Sequence, residues 1–176
     1  MRKLENEELN RLTADQFHKT SKTPLVLVLD NVRSLLNVGS IFRTADAFLI
    51  ESVYLCGITG TPPNKEIEKT ALGATSTVNW VHFTDTLAAV EKLKTDGYEV
   101  YAIEQAENAI MLDKFGNWGT KKMAVIFGNE VKGVEQQVID KCKGVIEIPQ
   151  LGTKHSLNIA VSAGIVVWDL YTKLSH

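Results

Sequence analysis

Short apolar runs alternate with amphipathic stretches along most of the chain. Residues 25–29 form a wholly apolar run with valine at alternate places, which is typical of a strand buried on both faces. Five further runs predict strands, at residues 53–56, 78–83, 98–103, 123–127 and 145–148. Helical patterns separate them, at residues 38–49, 62–72, 86–94, 134–141 and from about 156 to 174.

This alternation predicts an α/β fold with a mostly parallel six-stranded sheet and helices on both faces. Ligands of such sheets bind beyond the carboxyl ends of the strands. The loops that follow strands are therefore the places to look for chemistry.

The amino-terminal segment has a different pattern. Residues 4–18 carry Leu4, Leu9, Leu12 and Phe17 among charged residues, which predicts a short amphipathic helix. We expect residues 1–22 to form a helical extension and residues 23–176 to form one domain, since no repeat or linker divides the rest.

Composition limits the class of protein and the cellular compartment that we expect. The 176 residues are 44% hydrophobic and 23% charged, which suits one globular domain. Cys56 and Cys142 have no paired spacing, which favours a reducing compartment. Without a leader-like start or an apolar run approaching ~20 residues, we expect a cytoplasmic protein outside any membrane. The net charge of −2 argues against a general nucleic-acid coating protein, so contact with nucleic acid must be local.

The first candidate loop opens the helix predicted at residues 38–49. Gly39 and Arg43 are four residues apart and share a helix face, and glycine in a first turn costs about 1 kcal/mol against alanine. Glycine at this position therefore suggests that another group approaches the helix closely. The plainer interpretation makes Asn37 the helix cap, Gly39 a packing notch and Arg43 a surface partner of Asp46.

The second candidate loop, residues 127–133, directly follows an apolar strand. Gly128 and Gly133 allow close contacts, and exposed backbone N–H groups there would hold a ligand, while Glu130 would orient a cation. The alternative is a tight turn with Glu130 in the first turn of the next helix, where its charge suits the helix dipole.

The third candidate loop, residues 148–158, leads into the last helix. Ser156 is the predicted cap, and the free N–H groups behind it suit an anionic or polar ligand group. Asn158 offers both donors and an acceptor. His155 beside a lysine in a polar loop is typical of a solvated side chain rather than of a catalytic one.

Several common sites are missing from the sequence. It contains no G-x-G-x-x-G after the first strand, no G-x-x-x-x-G-K-[ST], no H-E-x-x-H and no G-x-S-x-G. Dinucleotide, Walker-type, zinc-protease and serine-hydrolase functions therefore lose their main support. The chain also offers no cluster of metal ligands, so we expect no metal.

Taken together and in order, the three loops resemble the three motifs of the SpoU/TrmH branch of the SPOUT RNA methyltransferases. These motifs are N-x-G-x-x-x-R at residues 37–43, G-N-E at residues 128–130 with Gly133, and I-P…G…S-L-N at residues 148–158. The likeness covers about residues 24–170. Gln150 and Ala160 depart from the residues that are common in the family, and neither change removes an expected catalytic group.

The resemblance implies more than the pattern does. It makes residues 23–176 a SPOUT domain with a carboxy-terminal deep trefoil knot, which acts as a homodimer and transfers the methyl group of S-adenosylmethionine to a ribose 2′-hydroxyl of tRNA or rRNA. It also implies cofactor contacts at a set of positions in the knot: Ile103, Gly128, Asn129, Ile148, Ser156 and Leu157.

The implied catalytic residues are Arg43, Asn37, Glu130 and Asn158. A ribose hydroxyl is a poor nucleophile, so its reaction requires alignment and help in losing a proton. The pKa of an arginine lies above ~12, so we favour phosphate binding and alkoxide stabilisation by Arg43 over a role as base. Asn37 and Glu130 would orient Arg43, in one subunit or across the dimer, and Asn158 would position the ribose.

The last helix supports the expected dimer. Its apolar residues, which follow a stripe of small side chains, exceed what one neighbouring element needs to cover: Ile159, Ala163, Val166, Val167 and Leu170.

Two other functions stay open at this point. A non-catalytic RNA-binding or assembly protein would keep the fold, although it would not need Arg43, Glu130 and Asn158 together. An α/β enzyme that acts on a small nucleotide would suit the acidic net charge.

Overall fold

Seven parallel strands form one sheet in a computed structural model that describes residues 1–116, 118–119 and 121–174. The order across the sheet is β3-β2-β1-β6-β4-β7-β5. The strands are β1 Thr23–Asp30, β2 Ile50–Cys56, β3 Trp80–Phe83, β4 Glu99–Ile103, β5 Ile110–Met111, β6 Met123–Phe127 and β7 Gly144–Glu147.

The predicted α/β class and parallel sheet are confirmed, but the predicted count of six strands is wrong. The additional strand, β5, has two residues, and Ile110 pairs with Ile146 of β7 at the sheet edge. A two-residue strand is too short to produce an alternating pattern, so the sequence offers no signal for it.

Among the described residues, four α-helices connect strands: α2 Leu35–Ala47, α3 Lys65–Ala71, α4 Thr86–Thr95 and α5 Gln136–Ile139. A fifth, α1 Ala14–Lys19, precedes β1, and a sixth, α6 Ile159–Thr172, follows β7. Short 3₁₀ turns occur at Asn6–Leu9, Ala74–Ser76 and Leu112–Lys114.

The single amphipathic helix predicted over residues 4–18 is wrong. The chain instead forms the 3₁₀ turn Asn6–Leu9 and then α1, because Asn10 adopts a left-handed conformation with φ 48°. Thr13 restarts the helix, since its hydroxyl accepts from the backbone N–H of Gln16 and the Gln16 side chain accepts from the backbone of Thr13.

Two helices begin at residues other than those predicted. Ser34 caps α2 by accepting from the backbone N–H of Asn37, so Asn37 lies in the first helical turn. Asn158, rather than Ser156, caps α6 and accepts from the N–H groups of Ala160 and Val161. All four residues are of types that cap helices well, so the sequence alone does not rank them.

The core consists of two layers on opposite faces of the sheet. Successive residues of β1 alternate between them: Leu25, Leu27 and Leu29 face one layer, and Val26 and Val28 face the other. Helices α2, α3 and α6 cover the first face, and α4 and α5 cover the second. Both faces are therefore covered, as the apolar runs predict.

The five apolar α6 residues that predicted a dimer are buried within their own chain. Ile159 is 7% exposed, and Ala163, Val166, Val167 and Leu170 are fully buried. The other side of α6 is exposed instead, at Val161, Ile165 and Trp168. A helix that is apolar on most sides does not reveal by pattern which side faces its own sheet.

The register of the sheet brings three loops to one edge. Phe127 at the end of β6 pairs with Leu29 of β1 on one side and with Ile103 of β4 on the other. The segments that follow β1, β4 and β6 therefore leave the sheet together.

Within the described residues, no helix is both long and apolar enough to cross a membrane.

Candidate active site

A cleft with a volume of about 1020 Å³ opens at the carboxyl ends of β4, β6 and β7. Its walls include all six positions expected to contact a cofactor: Ile103, Gly128, Asn129, Ile148, Ser156 and Leu157. These residues come from three separate segments of the chain. Their convergence follows from the central placement of β6 and β4 in the sheet.

Gly128 begins a loop that folds back on itself. Asn129 and Gly133 exchange two backbone hydrogen bonds, of 3.0 and 2.8 Å between nitrogen and oxygen. A Cβ atom on Gly128 would lie 2.1 Å from the carbonyl carbon of Gly133, and Gly133 itself has φ +69°. The loop therefore requires glycine at both positions.

The side chain of Asn129 fixes this loop to the end of β1. Its amide donates to the carbonyl oxygen of Asn31 at 2.8 Å, and its side-chain oxygen accepts from the backbone N–H groups of Val131 and Lys132. The loop is thus held from within and from the neighbouring strand.

Glu130 reaches from this loop to the beginning of α2. Its two carboxylate oxygens accept from the backbone N–H groups of Arg33 at 3.0 Å and Ser34 at 2.9 Å. The interpretation that places Glu130 in the first turn of the following helix is wrong, since α5 begins only at Gln136. The carboxylate instead stabilises the entry to α2.

The surroundings of Glu130 also lower its pKa. Burial, the largest single influence, raises the pKa, but the hydrogen bonds from the backbone N–H groups of Arg33 and Ser34, with a smaller effect of the nearby Asn37 side chain, together outweigh it. The pKa of Glu130 is therefore below its ordinary value, and the side chain is a carboxylate near neutral pH.

Asn37 and Asn158 connect the first and third motifs. The Asn158 amide donates to the side-chain oxygen of Asn37 at 3.2 Å, while the Asn158 oxygen caps α6. Glu130 accepts from the backbone of Ser34, which in turn caps the helix turn that holds Asn37, so three of the four predicted catalytic residues converge. Glu130 and Asn158 line the cleft directly.

Arg43, the fourth predicted catalytic residue, lies apart from the other three. It is six residues beyond Asn37, or roughly 9 Å along the axis of α2, and its side chain is exposed. Among the described residues Arg43 forms no ion pair with Asp46, whose carboxylate accepts a hydrogen bond from the Thr77 hydroxyl. The cleft of one chain thus lacks Arg43.

Gly39 serves packing between two helices. A Cβ atom there would lie 2.1 Å from the backbone oxygen of Ile67 and 2.2 Å from the Thr70 hydroxyl, both in α3. The packing-notch interpretation of Gly39 is therefore confirmed, and the closely approaching group is a helix of the same chain.

Glu104 and Gln105 also line the cleft, although they belong to none of the three motifs. The Glu104 carboxylate accepts from the backbone N–H groups of Gln105 at 2.8 Å and Val134 at 3.1 Å, which steadies the glycine loop. Gln105 donates to the backbone oxygen of His155. Their position directly after a predicted strand is a signal that could have found them.

Comparison with protein families places these motifs in a known group. The family model of the SpoU rRNA methylases matches residues 24–168, which include all three motif loops. The chain belongs to the SpoU rRNA methylase family. The predicted relationship is therefore confirmed over most of the chain.

Individual relatives of this SpoU family member agree. A Staphylococcus aureus protein assigned to the TrmH family of tRNA/rRNA methyltransferases is 31% identical over 163 residues, which are 90% of this chain and 64% of that protein. The chain thus spans less than two thirds of that relative's length.

Solved structures share the fold. An AdoMet-bound rRNA methyltransferase from Sinorhizobium meliloti matches with a TM-score of 0.80 and 24% identity, over 89% of this chain and 59% of that one. A structure concerning 2-OH methylation of C/U34 on tRNA matches with a TM-score of 0.75 and 24% identity, over 86% of this chain and 97% of that one.

Among the described residues of this SpoU family member, no group of three or more His, Cys, Asp and Glu side chains is arranged to hold a metal ion.

Proposed function

We propose that the protein transfers the methyl group of S-adenosylmethionine to a ribose 2′-hydroxyl of tRNA or rRNA. The observation that carries this proposal is the convergence of two motifs of a methylase family, at residues 128–130 and 148–158, on one cleft, with Asn37 of the remaining motif hydrogen bonded to Asn158 beside it. The Asn37–Asn158–Glu130 cluster at the edge of the cleft supplies polar groups beside it.

The cleft suits S-adenosylmethionine in size and chemistry. Its volume lies at the upper end of ordinary ligand pockets, and its lining combines aliphatic side chains with open backbone at Gly128. Ile103, Ile148 and Leu157 would flank the flat adenine, and Ser156 would contact polar groups. When bound, this cofactor supplies an electrophilic methyl group. A structure similar to this chain, the rRNA methyltransferase from Sinorhizobium meliloti, is AdoMet-bound.

Arg43 would act on the RNA rather than on the cofactor. Its guanidinium stays charged at any working pH, so it would bind the phosphate next to the acceptor and stabilise negative charge on the ribose oxygen. Glu130 would hold the loop of the cleft in place, and Asn158 would position the ribose beside it. Because Arg43 lies outside its own cleft, we propose that a second copy of the chain supplies it.

A homodimer would bring that second copy close. The helices α2 and α6 lie side by side, with Asn37 near Asn158 at their starts and Phe48 against Trp168 and Tyr171 at their ends. Their outer surface is apolar at four positions that we call the α2/α6 stripe: Leu36, Val161, Ile165 and Trp168. Exposed stripes of this kind favour association.

We also propose that residues 1–22 form an N-terminal extension, that residues 23–176 form a SPOUT domain, and that the protein is cytoplasmic.

We further propose a trefoil knot at the carboxyl end of this domain. The strand order supports the knot, since β6 lies between β1 and β4, and β7 lies between β4 and β5. After β7 the chain returns across the sheet, where Asn158 contacts Asn37.

Transfer of a labelled methyl group tests the function. The purified protein is incubated with labelled S-adenosylmethionine and either bulk RNA from a strain that lacks the gene or free nucleosides. Label in RNA alone is the expected result. Label in nucleosides would favour a small-nucleotide enzyme, and RNA binding without transfer would favour a non-catalytic protein.

A further inference from the structure

The glycine loop, residues 128–133, borders two cavities. One is the cleft, and the other is a pocket with a volume of about 420 Å³ beside the ends of β1 and β2. Val131, Lys132 and Gly133 line both of them. A flexible chain that lies across the loop therefore contacts the pocket and the cleft together.

Two aliphatic side chains of this pocket are held in solvent. Val131 is 79% exposed and Ile58 is 68% exposed. Each lies on a turn that hydrogen bonds hold in place. The backbone N–H of Val131 donates to the Asn129 side chain at 2.9 Å, and the backbone N–H of Ile58 donates to the Asn31 side chain at 3.2 Å. Exposed apolar side chains grouped around one pocket are typical of a contact surface.

The polar side chains at the base of the pocket already have partners. Asp30 is 1% exposed, so a ligand in the pocket does not reach it. The Asn31 amide donates to Asp30 at 2.9 Å, and the Asn129 amide donates to the carbonyl oxygen of Asn31 at 2.8 Å. A ligand therefore meets mainly the two aliphatic side chains and the charged groups beside them.

Two cations lie beside these aliphatic side chains. Arg33 and Lys132 are exposed and line the pocket, and neither forms an ion pair with any described residue. One acidic residue of the pocket, Glu135, is also exposed. The exposed charges of the pocket are thus cationic in balance, which favours a ligand that carries phosphate groups.

The opposite wall of the cleft has the reverse charge. Glu104, Glu107 and Glu147 line it at the ends of β4 and β7, and no lysine or arginine of the described chain lies among them. A polyanion is disfavoured along this wall, since like charges repel. The charges around the glycine loop therefore direct an RNA strand to the side of the second pocket.

We propose that the RNA substrate crosses the glycine loop on this side, with a base next to the acceptor nucleotide packed against Ile58 and Val131 and its flanking phosphates at Arg33 and Lys132. Apolar side chains hold unstacked bases by their flat faces, and cations position phosphates without reading sequence. The inference rests on the proposed methylation of RNA and names the surface that the substrate follows.

RNA binding without methyl transfer tests this surface. Protein saturated with S-adenosylhomocysteine is titrated with fluorescein-labelled octauridine, and anisotropy gives the dissociation constant at several salt concentrations. Val131→Ser and Ile58→Ser should each weaken binding about fivefold, because apolar contact with a base is lost, and should leave the salt dependence unchanged. Both side chains are exposed, so both variants should melt as wild type does.

Two charge variants should give the opposite result. Arg33→Gln and Lys132→Gln each remove one phosphate contact, so the slope of log affinity against log salt should decrease by roughly 0.7 in each. The backbone N–H of Arg33, which donates to Glu130, is kept in the first variant.

Octacytidine tests the expected lack of base readout. It should bind wild type about as tightly as octauridine does, because the polar side chains of the pocket have partners within the protein. A strong preference for either oligonucleotide would contradict an apolar contact with the base.

Two residues outside both cavities provide matched controls. Leu72→Ser changes an apolar side chain that is 65% exposed, and Lys19→Gln removes an exposed cation that forms no ion pair with the described residues. Both variants should bind octauridine with wild-type affinity and salt dependence. Losses equal to those of the pocket variants would show a general effect of the protein surface and overturn the proposal.

The outcomes separate this proposal from the proposed function. Unchanged binding by Val131→Ser and Ile58→Ser would refute the surface even if the protein methylates RNA. Loss of self-association in these variants, seen by sedimentation, would assign the two side chains to a contact between copies of the chain and also end the proposal. The predicted losses in a protein that never methylates RNA would support the surface and refute the enzyme.

Discussion

The amide nitrogen of Asn158 donates a 3.2 Å hydrogen bond to the side-chain oxygen of Asn37, which lies 121 residues earlier in the chain. The same Asn158 side chain caps α6 through its oxygen, and Asn37 lies in the first turn of α2. One residue therefore starts a helix and ties it to a second helix at the edge of the cleft. This arrangement allows capping and positioning to be separated by experiment.

Asn158→Asp should separate these two roles. Aspartate keeps the cap but loses the donor to Asn37, so the variant should fold normally and transfer methyl groups at a rate lowered by about tenfold or more. Asn158→Ala should also lose about 1 kcal/mol of unfolding free energy. Urea denaturation and methyl-transfer rates measure both effects. Full activity in the aspartate variant would show that the contact with Asn37 is dispensable.

Glu130 should contribute stability that depends on pH. Its folded-state pKa is below its ordinary value, so the contribution is complete above the unfolded-state pKa and is lost as pH falls through the folded-state pKa. The advantage of wild type over Glu130→Gln in unfolding free energy should thus be greatest above about pH 5 and shrink below about pH 4.

Glu107→Gln is the matched control for this comparison. Glu107 lines the same cleft, and its exposed carboxylate accepts no hydrogen bond from the described residues. Denaturation curves of this variant should follow wild type at each pH. An advantage that grows as pH falls would contradict the assigned role of Glu130.

Gly128→Ala should destabilise the fold and open the loop of the cleft. The new methyl group would overlap the Gly133 backbone, and such overpacking costs about 2 kcal/mol. Gly152→Ala is the control, because no atom lies within 4 Å of its Cβ position. Thermal melts should show a lower midpoint for the first variant and little change for the second, whereas equal midpoints would count against the tight loop.

Ile165→Glu should dissociate the proposed dimer. The charge would fall in the α2/α6 stripe, where Ile165 is 39% exposed in the single chain. Sedimentation should give about twice 19.5 kDa for wild type and the single mass for the variant. Leu4→Glu, at an exposed apolar residue of the amino-terminal segment, should remain dimeric. A wild-type monomer with full activity would rule out a shared active site.

Much of the fold follows from local pattern. The runs at residues 25–29, 98–103 and 123–127 predict β1, β4 and β6 to within two residues at each end, because buried parallel strands are continuous apolar segments. The two-residue β5 carries no such pattern. Helix starts were less predictable, since Ser34 and Asn37, like Ser156 and Asn158, compete as caps and tertiary contacts decide between them.

The sequence predicts which residues belong to the candidate site, but not which of them contact one another. Motif order indicated the residues around the cleft, yet the role of Glu130 at the entry to α2 depends on strand order, which brings the loops after β1 and β6 together. The position of Arg43 outside its own cleft also depends on the fold. The spacing of residues along the sequence indicates neither the contact of Glu130 with the start of α2 nor the separation of Arg43 from the cleft.

Methyl transfer by Arg43→Ala tests the central claim most directly. RNA labelled by wild-type protein is hydrolysed in alkali, and the label should remain in resistant dinucleotides because a methylated 2′-hydroxyl blocks cleavage. Arg43→Ala should lower this label by on the order of a hundredfold or more, while the affinity for S-adenosylmethionine changes little. Arg11→Ala, at an exposed arginine of the amino-terminal segment, is the matched control and should transfer as wild type does. Near wild-type transfer by Arg43→Ala, or label on a base, would contradict the account.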